Sequence, residues 1–327
     1  MSESNIKKII ITGAAGFIGT NVAKHLSEKG YSVVAVDYLK DSDEVKKKNL
    51  EAFKYEKYYD RDEFLELVKR DALPPVEAIV HLGADTNTQE TDTEYLLKNN
   101  TEYTKELFLY CVRNNVRFLY ASSAATYGDG SKGYSDNERN LKPLNPYGLS
   151  KHLFDEWCLE QTKKPPQWAG FKFFNVCGPH EEHKGTMASV VYKGFHEIQK
   201  TETLKLFKSY RNGYNNGKQK RDFIFVADIA SVILFFLDHP EKTGIFNVGT
   251  GQARTFLDLG HALFKALGKK PNIEFIDMPE GLKDQYQYFT EADIGKLRSA
   301  GYTKEFTSLE EGVRKYVVWL KNKNTIA

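Results

Sequence analysis

Tyr147 and Lys151 stand four residues apart in a stretch, Pro146 to Gln161, whose apolar pattern reads as a helix. At that spacing both side chains leave one helical face, so the ammonium can hold down the phenol's proton affinity while a neighbouring hydroxyl shares its hydrogen bond. Such a tyrosine is a candidate general acid and base. The plainer reading is an exposed Tyr–Lys pair, which adds about a few tenths of a kcal/mol to a helix and does no chemistry. Ser123 strengthens the chemical reading. It follows the apolar run Phe118 to Ala121, so its hydroxyl should emerge at the C-terminal edge of a sheet, where open α/β sheets bind ligands and where Tyr147 can meet it.

A second constellation lies near the N-terminus. Gly13, Gly16 and Gly19 form a GxxGxxG turn between the apolar run Lys8 to Thr12 and an amphipathic stretch from Phe17 to Lys29. The first glycine permits the tight turn, the middle one lets a diphosphate approach the backbone, and the last lets helix and strand pack closely. The free N–H groups of the helix start then face the anion. The next strand, Ser32 to Val36, leads to Asp37, a residue type that accepts hydrogen bonds from an adenosine ribose and by itself favours NAD. Lys40, Lys46, Lys47, Lys48 and Arg61 follow closely, and one or two of them can neutralise a 2′-phosphate; the plainer reading is a solvated basic face.

These groups need a frame. Apolar runs at Ala78 to Leu82, Phe118 to Ala121 and Phe171 to Val176 alternate with helical patterns at Tyr95 to Val112 and Pro146 to Gln161. The alternation predicts an α/β fold with a Rossmann-like, doubly wound parallel sheet covered on both faces. After Gly178 the pattern loosens, and Asn212 to Gly217 reads as a surface loop. Helical Ala227 to Leu237 and strand-like Ile245 to Val248 then return to the sheet. The division expected is residues 1–177 plus about 223–252 for the dinucleotide, with about 178–222 plus 253–327 as a smaller, discontinuous C-terminal α/β substrate lobe.

Composition bounds the function. With 327 residues and 41% hydrophobic content the chain can bury a large core, and 46 basic against 44 acidic residues give no general attraction to nucleic acid. Cys111, Cys158 and Cys177 are odd in number and lack metal-like spacing, which suits free thiols and a cytoplasmic setting. Met1 to Lys8 shows no leader pattern, and no stretch is long and apolar enough to span a bilayer. His180 and His183 flank two glutamates but lack a third spaced ligand, so no metal is expected, and His81 reads as a satisfied histidine at a strand end.

Serine, tyrosine and lysine in this order, behind the glycine turn, resemble the extended short-chain dehydrogenase/reductase superfamily over the whole chain, with landmarks at His81 to Ala84 and Phe174 to Pro179. Phe118 to Gly128, His183 to Val190, Lys220 to Phe223 and Tyr286 to Thr290 together are similar to one branch of it, the ADP-glyceromanno-heptose 6-epimerases. The resemblance implies redox-neutral inversion at C6″ of an ADP-heptose for the lipopolysaccharide inner core, with Tyr147 and Lys184 as two bases, Ser123 on the substrate oxygen and Lys151 on the cofactor ribose. Positive charge from Lys151 and the oxidised nicotinamide is expected to lower the pKa of Tyr147.

By the same resemblance the cofactor, NADP with NAD possible because of Asp37, lies along Gly13, Gly16, Phe17, Ile18, Gly19, Asp37, Tyr38, Lys46, Arg61, Leu82, Gly83, Ala84, Asn99 and Val176, besides Tyr147, Lys151 and Lys184. The substrate meets Ser123, Asn175, Thr186, Lys193, Phe207, Ser209, Arg221 and Tyr286, and the family implies a homo-oligomer, a pentamer. Tyr38 stands where the family has asparagine, Lys193 where it has histidine, and Thr186 where it has serine. The rival readings are a UDP-hexose 4-epimerase, against which Lys184 weighs; a 4,6-dehydratase, against which Ala124 and Ala125 after Ser123 weigh; and a nicotinamide sensor without turnover, against which the full set of catalytic side chains weighs.

Overall fold

The computed structural model describes residues 7–281, 283 and 286–326. Residues 1–6, within the segment on which the leader reading rests, lie outside these. Among the described residues twelve strands follow in chain order: β1 (Lys8–Thr12), β2 (Ser32–Asp37), β3 (Lys57–Asp60), β4 (Ala78–His81), β5 (Arg117–Ser123), β6 (Trp168–Phe173), β7 (Asn175–Cys177), β8 (Leu204–Phe207), β9 (Lys220–Phe225), β10 (Gly244–Val248), β11 (Ala253–Thr255) and β12 (Ile273–Ile276). Seven of them form a parallel sheet in the order β10-β6-β5-β4-β1-β2-β3.

The apolar runs are continuous because this sheet is covered on both faces. Ile9 and Ile11 enter one core layer with Val33, Ala35, Val80 and Leu119, while Ile10 enters the other with Val34, Val36, Ile79 and Phe118. That is the period of two a strand imposes. The helices Phe17–Glu28 and Val226–Asp238 supply Val22, Leu26, Ile229, Ile233 and Phe236 to the first layer; Arg61–Lys69 and Tyr103–Arg113 supply Phe64, Leu107 and Phe108 to the second. The doubly wound expectation therefore holds. Strand order reverses at β1, which pairs with β2 on one side and β4 on the other; the loops leaving β1 and β4 diverge to opposite faces and open a crevice.

Two departures from the sequence reading bear on the site. The run Phe171 to Val176 is two strands in different sheets: β6 lies in the parallel sheet, and after Phe174 the chain enters β7, which pairs with β9 in a three-stranded sheet completed by β11. An apolar run carries no mark of where its partner changes. The helical pattern from Tyr95 is also interrupted, with a π-helical turn at Leu97–Glu102 between Thr93–Leu96 and Tyr103–Arg113. This turn aims Asn100 inward, where its Nδ2 donates to Ser150 Oγ at 3.1 Å and its Oδ1 accepts from Asp85 N–H at 2.9 Å. A second core gathers Val191, Phe195, Leu204, Phe223, Leu263, Val313 and Tyr316 from β8, β9 and the helices Val190–Thr201, Phe256–Leu267 and Leu309–Ile326.

Candidate active site

Gly13 turns with φ +69°, and a Cβ placed on it would sit 2.7 Å from Gly83 N, so the loops after β1 and β4 touch backbone to backbone at the crevice. A Cβ on Gly19 would lie 1.9 Å from Gly13 O. Both positions therefore exclude any side chain. Gly16 stands at the N-cap of the helix Phe17–Glu28 with no side chain capping it, which leaves first-turn N–H groups directed at a cavity of about 640 Å³ lined by Gly13, Gly16, Phe17, Ile18, Gly19, Leu82, Gly83, Ala84, Lys184 and Thr186. A cradle of this kind fits a diphosphate.

Next to it lies a cavity of about 240 Å³ bounded by Asp37, Tyr38, Lys46, Arg61 and Asn99. Asp37 is already engaged: Oδ2 accepts from Ala15 N–H at 2.8 Å, and Oδ1 from Tyr38 N–H at 2.8 Å and Lys46 Nζ at 2.6 Å. The Arg61 guanidinium lies 4.9 Å from the Tyr38 ring centre and donates to Asn99 Oδ1 at 3.2 Å. Tyr38 thus supports an arginine beside a carboxylate that a lysine neutralises.

At the other end a cavity of about 360 Å³ collects Phe17, Ser123, Tyr147, Lys151, Asn175, Val176 and Lys184. Asn145 caps the helix Pro146–Glu160 by accepting from Gly148 N–H at 2.8 Å, and Pro146 opens its first turn. A Cβ on Gly148 would meet Ala125 O at 2.7 Å. This close approach to the end of β5 brings Tyr147 to Ser123. Lys151 is buried and donates from Nζ to Ala121 O at 3.1 Å; desolvation brings its pKa down to about 8, against an upward pull from Asp155.

The chain's own groups do not give Tyr147 the lowering expected from Lys151. Burial of the ring pushes it up, and the hydrogen bond with Ser123 only partly opposes this, with Asp85 adding to the rise. A Tyr–Lys spacing reports nearby charge but not the loss of water around the phenol. Lys184 moves the other way, because burial lowers its pKa while Glu181 raises it and Lys193 lowers it further. Its Nζ lies 5.4 Å from the Phe17 ring centre.

Behind the helix Pro146–Glu160 runs a network that the sequence reading did not include. Asp155 accepts from Tyr120 Oη at 2.9 Å, Ser122 Oγ at 2.7 Å and Lys172 Nζ at 2.8 Å, all buried. Its position one turn beyond Lys151 is the only trace it leaves in the sequence. His81 is satisfied as expected, with Nδ1 at 2.6 Å from Thr12 Oγ1 and Nε2 at 2.9 Å from Thr104 Oγ1. His180 Nδ1 meets Asn49 Oδ1 at 3.0 Å.

The remaining predicted residues fall outside these three cavities. Arg221 is buried under Tyr286, with its guanidinium 5.1 Å from that ring centre, and Phe207 meets Tyr286 edge-on at 6.5 Å. These three form one cluster beside β8 and β9. Ser209 begins the exposed loop, where its N–H donates to Asn216 Oδ1 at 2.9 Å, and Lys193 donates to Thr186 O at 3.1 Å.

Residues 9–249 match the NAD dependent epimerase/dehydratase family. The chain is 45% identical over 322 residues to the ADP-L-glycero-D-manno-heptose-6-epimerase of Fusobacterium nucleatum subsp. nucleatum, covering 94% of this chain and 96% of that one. It is 47% identical over 313 residues to the enzyme of the same name from Nitratidesulfovibrio vulgaris strain Hildenborough, with the same coverage of 94% and 96%. Among solved structures, ADP-L-glycero-D-manno-heptose-6-epimerase of Helicobacter pylori superposes with a TM-score of 0.83 at 28% identity, over 97% of this chain and 96% of that one. A UDP-N-acetylglucosamine 4-epimerase of Methanobrevibacter ruminantium shares the fold, with a TM-score of 0.83 at 23% identity over 97% and 99% of the two chains. With its glycine cradle, its Ser123–Tyr147–Lys151 set and Lys184 on one cleft, the chain belongs to the NAD dependent epimerase/dehydratase family and, within it, to the ADP-L-glycero-D-manno-heptose-6-epimerases.

Proposed function

We propose that this protein interconverts the C6″ epimers of ADP-glycero-manno-heptose, D-glycero to L-glycero, through a transient 6″-ketone, to provide the heptose of the lipopolysaccharide inner core. The observation that carries this reading is the presence of Tyr147 and Lys184 on one cavity with Ser123 and Asn175. Inversion requires proton transfer to and from an oxygen presented in two orientations, and two acid/base groups serve that need. A bound nicotinamide cofactor supplies reversible hydride acceptance, so the net reaction is redox-neutral.

The chain's own residues do the rest. Ser123 hydrogen-bonds the O6″ oxygen, Asn175 orients the sugar and Lys151 holds the cofactor ribose. In one direction Tyr147 takes the O6″ proton and Lys184 gives one back; in the other the order is reversed. The pair therefore carries one proton between them, which must return to its starting group before the next turnover. Burial raises the Tyr147 pKa and lowers that of Lys184, so both shifts oppose charge on their groups and make the amine easier to deprotonate than an exposed lysine. Turnover then rises with pH as Lys184 loses its proton.

Arg221 pairs the ADP diphosphate, with Phe207, Ser209 and Tyr286 beside the nucleotide and Thr186 and Lys193 toward the sugar. NADP is the cofactor, because Lys46 neutralises Asp37 and leaves the Arg61 guanidinium, which stands over Tyr38, as the net positive charge for a 2′-phosphate. Lys46→Ala and Arg61→Ala are each expected to weaken NADP⁺ binding roughly tenfold, about 1.4 kcal/mol, and to leave NAD⁺ binding unchanged; calorimetric titration with both cofactors reads this, and equal losses for the two would assign NAD. The three buried free thiols suit a cytoplasmic setting. The homo-oligomer is a pentamer, whose mass light scattering reads.

Incubation of the purified protein with ADP-D-glycero-D-manno-heptose, with the C6″ proton followed by NMR, tests the reaction. Appearance of the L-glycero signal supports it; bound cofactor without conversion assigns a sensor, and inversion at C4 of a UDP-hexose assigns a 4-epimerase.

A further inference from the structure

Lys184 sits on Glu182–Met187, two 3₁₀ turns folded into a hairpin by a kink at Gly185, which a buried carboxylate ties shut. Glu181 has no solvent exposure; its Oε2 accepts from Ser189 N–H at 2.6 Å and its Oε1 from the Ser189 hydroxyl at 2.5 Å. Donors on both oxygens suit the ionised carboxylate, which can only accept. Ser189 is also the N-cap of the helix Val190–Thr201, accepting from Tyr192 N–H at 3.2 Å. One residue thus ends the hairpin and starts a helix of the second core. Within the hairpin Gly185 takes φ +52°, Lys184 N–H donates to Glu181 O at 2.9 Å, and Lys193, one turn along the helix from Ser189, reaches back to Thr186 O at 3.1 Å.

The hairpin also gathers charge. Glu181 faces Cys177 from β7, Lys193 and Tyr192 from the helix Val190–Thr201, and Tyr316 from the helix Leu309–Ile326, besides Lys184 itself. Its neighbour Glu182 is turned to Lys323. Burial pushes the Glu181 carboxyl up, against which its Ser189 hydrogen bonds and the charge of Lys184 favour the anion, while Lys184 and Lys193 repel. A second ammonium close by is a known way to make a lysine a better base.

We propose that Glu181 is the positioning residue of Lys184: through Ser189 it holds the hairpin that aims the amine into the cavity, and its charge opposes that of Lys193 on the same amine. The inference rests on Lys184 being a base of the epimerisation.

Wild type, Glu181→Gln, Lys193→Met and Lys184→Met are compared as full chains. Two readouts are taken: kcat for epimerisation against pH, and the pH dependence of Lys184 acetylation by acetic anhydride, followed by peptide mass spectrometry. Loss of the anion lowers the Lys184 pKa and loss of the neighbouring cation raises it. The labelling curve and the limb of kcat that rises with pH therefore move down by about one pH unit in Glu181→Gln and up in Lys193→Met. General loosening of the fold does not produce opposite shifts. A Glu181→Gln curve that stays in place or moves up overturns the proposal. If Glu181→Gln does not fold, Ser189→Ala decides: it keeps the carboxylate but cuts one tie, so kcat falls while the labelling curve stays near wild type, and a wild-type kcat overturns the clamp. Wild-type epimerisation by Lys184→Met removes the two-base reading and this inference together. An inactive Lys184→Met beside an unmoved Glu181→Gln curve removes this inference alone.

Discussion

Tyr147→Phe and Lys184→Met are each expected to lower kcat for C6″ epimerisation by roughly 10²–10⁴-fold, the range for removal of a general acid or base. Under the two-base proposal each variant should lose both directions equally, although each group would meet the substrate oxygen on a different face. The reason is that every conversion uses one group to take a proton and the other to give one. Removing either breaks the forward and the reverse path at complementary steps. For the same reason the double variant should be little slower than the slower single one, since groups that act as a unit do not contribute additively. KM for the sugar should change less than kcat, because Ser123 and Asn175 remain on the cavity. Initial rates from each epimer, measured by NMR, check this. Wild-type turnover by either single variant would mean that one group suffices, and the two-base reading would be wrong.

Asp155→Ala is expected to cost about 3–5 kcal/mol of folding stability, the range for stranding the partner of a buried ion pair. Lys172 would keep its bond to Thr126 Oγ1 at 2.7 Å but lose its counter-ion, and the hydroxyls of Tyr120 and Ser122 would lose their acceptor. Those residues lie on β5 and β6, adjacent inner strands of the parallel sheet, so the cost falls on the frame. Asp155→Ala combined with Lys172→Met should recover much of the loss, because the remaining groups no longer include a buried unpaired charge. Urea unfolding monitored by circular dichroism reads both values. An unchanged midpoint in the single variant would show that Lys172 finds water or another partner when Asp155 is removed.

What could be read from the sequence was local. The glycine turn and the Tyr147–Lys151 spacing act over a few residues, and the alternation of apolar runs follows directly from a sheet covered on both faces. What could not be read depended on residues distant in the chain. The β6–β7 break at Phe174 is fixed by β9, which arrives later and captures Asn175 to Cys177. β3 has only the four residues Lys57–Asp60, too few to show a period. The direction of the Tyr147 shift depends on packing around the phenol, and the engagement of Asp37 on Lys46 depends on a helix folding back over the strand end. Glu181, one of the two glutamates between His180 and His183, is buried because Ser189 and Tyr316 close over it.

The helix Leu309–Ile326 gives the protein a maturation order. Its Lys323 pairs with Glu182, its Trp319 meets His180 at 5.2 Å between ring centres, and its Tyr316 lies against Glu181. During synthesis from the N-terminus, every strand of the parallel sheet has been made once Val248 emerges, and folding units tend to form in that direction. The hairpin carrying Lys184, although made earlier than β10, has its brace only after residue 323. A nascent chain made as far as Val248 therefore carries every strand that frames the cofactor cradle before Tyr316, Trp319 and Lys323 exist to brace the segment that bears Lys184.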